Sequence, residues 1–434
     1  MIYGGITSRA AIGYASLFLE CVMKNQRKII HVSNSHVALR TAAFVLALVL
    51  GVAAISVGIT SIGKKEPGYY DIETTPSDEA PLYASGFQLV YWLEGESSDI
   101  KHQLNTLKDL YSTALERSYK LVDPETTYEG YVNLASLNAS LGQEMEVSGE
   151  LYHILTDAWE KTRQQRGFNL FAGALQGEWS SILSLTDMED FDPATNPDVA
   201  DRLSALAEKT GDLSQFDLKV TDEARHMLQI TVDGGYTAFL REKEYCQTVL
   251  SLGLMEDAYR LELVRDALEE RGYTNGYLST DSGLTLSLSG HGEGAFGFYG
   301  YDGTGPLQYA ALAAAPNGVC SYVRSFPMEE GEILYHHIRD EAGERFYHPN
   351  FVTATGGMAH VLTTAAAVRY DGDVVGCAYE TLCLYNLETR EAVCQEAAGD
   401  VTLVCQFRDD PAGTMYTNLP DAVTPADGVK RLTF

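Results

Sequence analysis

Several groups of residues in this chain combine reactive side chains with a spacing that brings them together. The first is YHHIRDEAG at 335–343. A histidine titrates near neutral pH and takes a proton from a hydroxyl nucleophile. His337 is therefore a candidate general base or substrate-positioning residue, though the same stretch also reads as a plain β-hairpin with the histidine packed against Asp340. The second is SLGLMEDAY at 251–259, at the start of an amphipathic run. Backbone N–H groups at a helix start suit a pyrophosphate. The third is MAHVLTTA at 358–365, where His360, Thr363 and Thr364 stand at i, i+3 and i+4. In a helix these share one face. The fourth, GFNLFAGALQGEW at 167–179, carries Phe168 and Trp179, large aromatics that read equally as core anchors.

The elements that must position these groups show both periodicities. Ser97–Leu121 has Ile100, Leu104, Leu107, Leu110 and Leu115 near helical spacing. Val147–Arg166 opens with Ser148 as a cap, and Pro197–Lys209 reads as a further helix. Met255–Arg271 is the clearest, with Leu261, Val264 and Leu268 in a stripe and Gly272 to end it. GFQLVYWLEG, TLSLSG and GAFGFYG read as strands, and the last stretch, from Val374, reads as short strands among turns such as YDGD and DDPAG. The expectation is an α+β fold in a single large unit, 83–434.

Ahead of that unit, Thr41–Ile62 holds no charged side chain. Roughly 20 apolar residues in a helix span the ~30 Å hydrocarbon core. Arg9, Lys24, Arg27, Lys28 and Arg40 precede the run against the single acid Glu20, which puts the N-terminus in the cytoplasm and the long C-terminal part outside. A cleaved signal peptide is the alternative, although its apolar region is usually shorter and has a small-residue cleavage site. The expected plan is a cytoplasmic arm (1–40), a transmembrane helix (41–63), a polar, proline-containing flexible tether (64–82) and the exported domain. The net charge of −29 repels nucleic acid and anionic headgroups. Six of the seven cysteines (Cys246, Cys320, Cys377, Cys383, Cys394 and Cys405) follow the apolar run. They suit disulfides in an exported chain, or buried thiols. No pair has C-x-x-C spacing, which argues against zinc.

Taken in order, SYKLVDPETTYEGYVNLASLN (118–138), VSGELYHILTDAW (147–159), the 167–179 stretch, SLGLMEDAYRLELVRDALEERGYTNGYLST (251–280), YHHIRDEAG and VTATGGMAHVLTTA (352–365) form a succession. It resembles the FAD:protein FMN transferases, the ApbE-type flavin transferases. The resemblance implies an ApbE-like, T-fold-like exported domain. It implies cleavage of FAD with a divalent metal, usually Mg²⁺, and transfer of FMN to a threonine or serine of an acceptor protein, as on a membrane redox complex. It assigns Ser85, Tyr119, Gly167, Phe168, Asn169, Ser251 and Asp257 to the flavin nucleotide and His337 to catalysis. It assigns the Leu254 carbonyl, His360, Thr363 and Thr364 to the metal. The chain departs from the family pattern where Asn169, Ser251 and His360 replace aspartates. An imidazole is a poor Mg²⁺ ligand, because that ion prefers oxygen. Two functions follow from this: an FMN transferase, or a family member that keeps the fold and a flavin pocket as a binding or assembly protein.

Overall fold

The run LTTAAAVR at 362–369 is apolar at successive positions, as a strand must be when both of its faces are covered. The computed structural model explains the covering. It describes residues 65–185, 188–193, 195–288, 294–314, 316–328, 336–339, 345–348, 361–396 and 401–434. The apolar run at 41–62 and His360 lie outside these residues. No described helix is long and apolar enough to cross a membrane.

In chain order, β1 (Gly68–Asp71), β2 (Phe87–Leu93), α1 (Ser97–Val122), α2 (Leu134–Ala139), β3 (Glu144–Glu146) and α3 (Gly149–Arg163) lead into α4 (Gly173–Leu183) and α5 (Pro197–Gly211). Then come β4 (Phe216–Asp222), β5 (Met227–Val232), α6 (Gly234–Glu242) and α7 (Glu256–Glu270), the last entered through a 3-10 turn at Gly253–Met255. The C-terminal part holds β6 (Gly276–Thr280), β7 (Leu284–Ser287), β8 (Gly294–Tyr301), β9 (Pro306–Ala314), β10 (Val319–Arg324), β11 (His336–Arg339) and β12 (Arg345–His348). It continues with β13 (Leu362–Arg369), α8 (Val374–Tyr385), α9 (Arg390–Glu396), β14 (Thr402–Phe407), β15 (Thr414–Thr417), β16 (Val423–Pro425) and β17 (Lys430–Thr433). Lys65–Phe434 is one compact unit of α+β type.

A nine-stranded sheet runs β1-β2-β6-β7-β10-β13-β14-β15-β17, antiparallel except for the β15–β17 pair. A smaller sheet, β16-β9-β8, packs on the faces of β10, β13, β14 and β15. Ala365, Ala367, Leu403 and Cys405 point into the helical core, while Ala366, Val368 and Val404 point the other way, toward Phe298, Tyr309 and Leu312 of the smaller sheet. Period-two alternation thus survives in space but not in the sequence, since both faces are apolar. Helix α8 is likewise enclosed, with Val374, Val375, Cys377, Ala378, Tyr379 and Leu382–Tyr385 all buried.

Three expectations are corrected here. In its described part the MAHVLTTA stretch is not a helix, because residues from Leu362 onward are strand β13. The region from Val374 does not open in strands, because Val374–Tyr385 and Arg390–Glu396 are helices. The flexible tether is not one across its described length. β1 pairs with β2, and residues 73–79 lie along α1 in a matched register. Glu73 meets Lys108 at 4.0 Å, the Thr75 N–H donates to Ser112 Oγ at 2.9 Å, the Ser77 hydroxyl donates to Glu116 at 2.8 Å, and Glu79 meets Lys120 at 2.6 Å. Every second residue of the strap meets every fourth residue of the helix. Two extended residues rise about 6.6 Å and four helical residues about 6 Å, so the two repeats stay in step. Ile72, Ala80 and Tyr83 pin its ends in the core. The six cysteines from Cys246 onward are free thiols, four of them buried.

Candidate functional site

Two loops meet where α7 begins. The 167–172 loop is shaped by Gly167, whose φ of +104° is open to glycine, and a Cβ there would lie 2.3 Å from Asn386 Nδ2. Asn386 Nδ2 donates to the Gly167 carbonyl at 3.2 Å. The 251–254 loop is tied to it by a hydrogen bond from the Ser251 N–H to the Leu170 carbonyl at 2.9 Å. Together they line a cleft with Gly167, Phe168, Asn169, Gln176, Ser251 and Leu254, closed on one side by Leu382 of α8. It encloses about 20 Å³, room for about one water molecule.

The polar side chains in this cleft are already engaged. Asn169 is buried, its Nδ2 donates to the Thr210 carbonyl at 2.9 Å, and its Oδ1 accepts from the Phe171 N–H at 2.9 Å. An aspartate could do only the second. Asparagine at 169 is therefore a structural choice, since its donor satisfies the C-terminal end of α5. Ser251 Oγ accepts from the Gly253 N–H at 3.1 Å, and the Met255 N–H bonds to the Leu252 carbonyl at 3.0 Å. Two of the N–H groups that could have faced a pyrophosphate are thereby used. Among the described residues no acidic side chain lines the cleft.

The charge lies one turn further on, around Arg260. Its side chain is 5% exposed and faces Glu256 at 3.9 Å and Asp257 at 3.6 Å. Its Nη2 donates to the Tyr83 carbonyl at the end of the strap. The guanidinium lies 4.2 Å from the Phe87 ring centre and 5.2 Å from that of Tyr119, within range of cation–π attraction. Its Nε–H and the nearby Tyr111 hydroxyl are buried with no hydrogen-bond partner among the described residues. Burial lowers the Arg260 pKa, opposed by Glu256 and Asp257. Burial raises the Asp257 carboxyl, opposed by Arg260. It raises Glu256 to about 7, with Arg260 pulling down and Asp257 and Asp123 pushing up. Both carboxylates sit in the first turn of α7, where the helix dipole favours negative charge. There they compete with any phosphate for that helix end.

The expected site residues therefore divide. Gly167, Phe168, Asn169, Ser251 and Leu254 converge on the cleft. Tyr119 and Asp257 gather at Arg260, and Ser85 is exposed just beyond Tyr83 on the same strap. Thr363 and Thr364 are not among the residues that line this cleft. They follow one another in a bulged strand rather than in a helix. Thr364 is buried and its hydroxyl donates to the Val323 carbonyl at 3.0 Å. Thr363 borders a separate cleft of about 290 Å³ with Tyr301, Phe326, Gln406 and Arg408. His337 lies in β11, opposite Tyr347 of β12, so the expected hairpin is present in the backbone. Among the described residues no group of three or more His, Cys, Asp or Glu could hold a metal ion.

Sequence reasoning missed Arg260, Phe87 and Glu256. One signal was present: Arg260 stands in phase with Val264 and Leu268 on the apolar stripe of α7, an unusual place for an arginine unless it is buried and paired.

No family model matches the chain, and no curated protein matches it in sequence. Solved structures do. The ApbE protein of Thermotoga maritima superposes with a TM-score of 0.54 at 12% identity, over 83% of this chain and 97% of that one. The apo form of the Pseudomonas stutzeri flavinyl transferase ApbE gives a TM-score of 0.50 at 12% identity, over 84% of this chain and 96% of that one. At this identity the likeness speaks for the backbone alone, and it shows that residues 65–434 have an ApbE-like α+β fold.

Proposed function

We propose that the chain is an extracytoplasmic flavin-nucleotide-binding protein on a flavin transferase-like fold, held to the membrane by the apolar run at 41–63. One observation carries this reading. The 167–169 and 251–254 loops meet in one cleft, and the same segment continues directly into the Arg260 cluster with Tyr119, Asp257 and, nearby, Ser85. A dinucleotide is long enough to use both. The unpaired Arg260 Nε–H and the Tyr119 ring suit a polar aromatic group. Leu254 and Leu382 narrow the cleft, so binding requires Leu254 to swing aside.

Mg²⁺ does not fit the described cleft. It calls for several oxygen ligands with at least one carboxylate, and the described lining offers backbone carbonyls, the neutral Gln176 amide, an engaged serine and an engaged asparagine. The second reading is FMN transfer from FAD to a threonine or serine of an exported acceptor, such as part of a membrane redox complex. It is favoured by the shared fold and by the His336–Arg339 hairpin strand, with His337 as its base.

Titration of the full chain with FAD, with and without Mg²⁺, tests the first reading. Metal-independent binding is expected, tightened by Leu254→Ala, which widens the cleft. Absence of FAD binding under both conditions defeats it. Mass spectrometry after incubation with FAD, Mg²⁺ and an acceptor segment separates the two readings, since an FMN adduct on the acceptor establishes transfer. If His360 takes part in a metal site, His360→Asp strengthens Mg²⁺ binding, because a hard anionic oxygen replaces a neutral nitrogen.

A further inference from the structure

We propose that the β1 edge of the large sheet rests on the headgroup layer of the membrane through Tyr69, Trp92 and Tyr277. The inference rests on the reading of residues 41–63 as an anchor. Tyr69 is 45% exposed, and Trp92 and Tyr277 are half-buried. The Tyr69 and Trp92 rings meet edge to face at 5.0 Å, and Tyr69 and Tyr277 are tilted by 40° at 6.0 Å. They come from three neighbouring strands: Tyr69 lies opposite Trp92 in the β1–β2 pair, and Tyr277 lies opposite Val90 in the β2–β6 pair. The alternate residues Leu89, Tyr91, Leu93 and Leu278 face the helical core, so the three rings share the other face.

Chain length keeps this patch within reach of a membrane spanned by the charge-free run. Gly63–Pro67 separates the charge-free run from Gly68, the first residue of β1. Five extended residues reach about 18 Å at most. The strap along α1 adds no slack, because it follows β1 and is itself held in register. Tyrosine and tryptophan collect at membrane interfaces because an apolar ring carries a polar tip. Here the Trp92 indole N–H donates to Glu94 at 2.9 Å, on the exposed side. The net charge of −29 opposes anionic lipid, so the partner of matching chemistry is a zwitterionic headgroup layer.

The test uses the full chain in phosphatidylcholine vesicles with brominated acyl chains, which quench tryptophan near the bilayer. The chain has three tryptophans. Trp179 is buried in the core, and Trp159 packs against Phe171 at 5.4 Å. Quenching is expected in the wild type and lost in Trp92→Phe. The double variant Tyr69→Ser/Tyr277→Ser should weaken it while the chain still resists carbonate extraction and melts as a folded protein. If the chain resists carbonate but Trp92→Phe is quenched as much as wild type, or neither is quenched, the patch is overturned and the anchor stands. Release by carbonate overturns the anchor, and the inference falls with it.

Discussion

The segment 251–260 has two ends that treat polar groups in opposite ways. At Ser251–Leu254 the Ser251 N–H bonds to the Leu170 carbonyl and the Ser251 hydroxyl accepts from the Gly253 N–H, and among the described residues no acid lines the cleft. At Glu256–Arg260 three ionisable groups crowd together, and a buried donor is left over. The first end is scaffold with a small opening. The second holds a buried arginine whose Nε–H has no partner among the described residues. Substituting at the two ends should therefore have very different consequences.

The largest effect is expected from Arg260→Met. It leaves Glu256 and Asp257 without their counter-charge, strips the donor from the Tyr83 carbonyl and keeps the side-chain volume. Removing one partner of a fully buried pair costs roughly 3–5 kcal/mol, and because the Glu256 and Asp257 side chains are 25% and 26% exposed the loss is expected at or below the low end of that range. Chemical denaturation should show this, and FAD affinity should fall with it. Little change in stability would show that the cluster is well solvated. Next comes Asn169→Asp, which sets a carboxylate oxygen against the Thr210 carbonyl. An unmatched buried acceptor costs roughly 1–3 kcal/mol. Stability unchanged in urea would mean that the Asn169 bond is weak.

Glu256→Gln should act through pH. The folded carboxyl is raised to about 7, above an unfolded value near 4.3. Its favourable contribution is therefore fully present below about pH 4.3 and is lost as pH rises through 7. The glutamine variant should show a flatter stability profile between these limits. A profile identical to wild type would place Glu256 in water. The smallest effect belongs to Ser251→Asp, within about 0.5 kcal/mol, because a carboxylate can accept the Gly253 N–H as the hydroxyl does. A large melting shift there would show that the cleft is less tolerant than its geometry suggests.

The helices that border solvent on one side were legible. Those expected at 97–121 and at 197–209 are found at Ser97–Val122 and Pro197–Gly211, because a stripe of Ile100, Leu107 and Leu115, or an Asn196 cap followed by proline, declares itself locally. Helix α8 was not legible. Enclosed by sheet and helix, VVGCAYETLCLY has no polar face, and its valines read as strand. The strand from Leu362 was misread for a related reason, since LTTAAAV is rich in a strong helix former and only double-sided packing makes it β. The strap escaped notice because its contacts are polar and spaced by two, against partners spaced by four that lie some 35 to 41 positions away. In the site, the loops were recognisable as segments, but the inward use of Asn169 and Ser251 depends on neighbours that no local pattern reveals.

The short strand GYYD has a protective duty as well. It covers the outer edge of FQLVYWL, a strand of seven residues with one polar side chain. Bare edges of that kind pair with one another and seed aggregation. β1 suits the outermost place, being four residues long, preceded by Glu66 and Pro67 and ending in the acid Asp71. Proteolysis within 72–82, or a fragment begun at residue 83, would remove this guard and expose a sticky template. Such a fragment is expected to self-associate, with its failure lying in the missing edge rather than in the core.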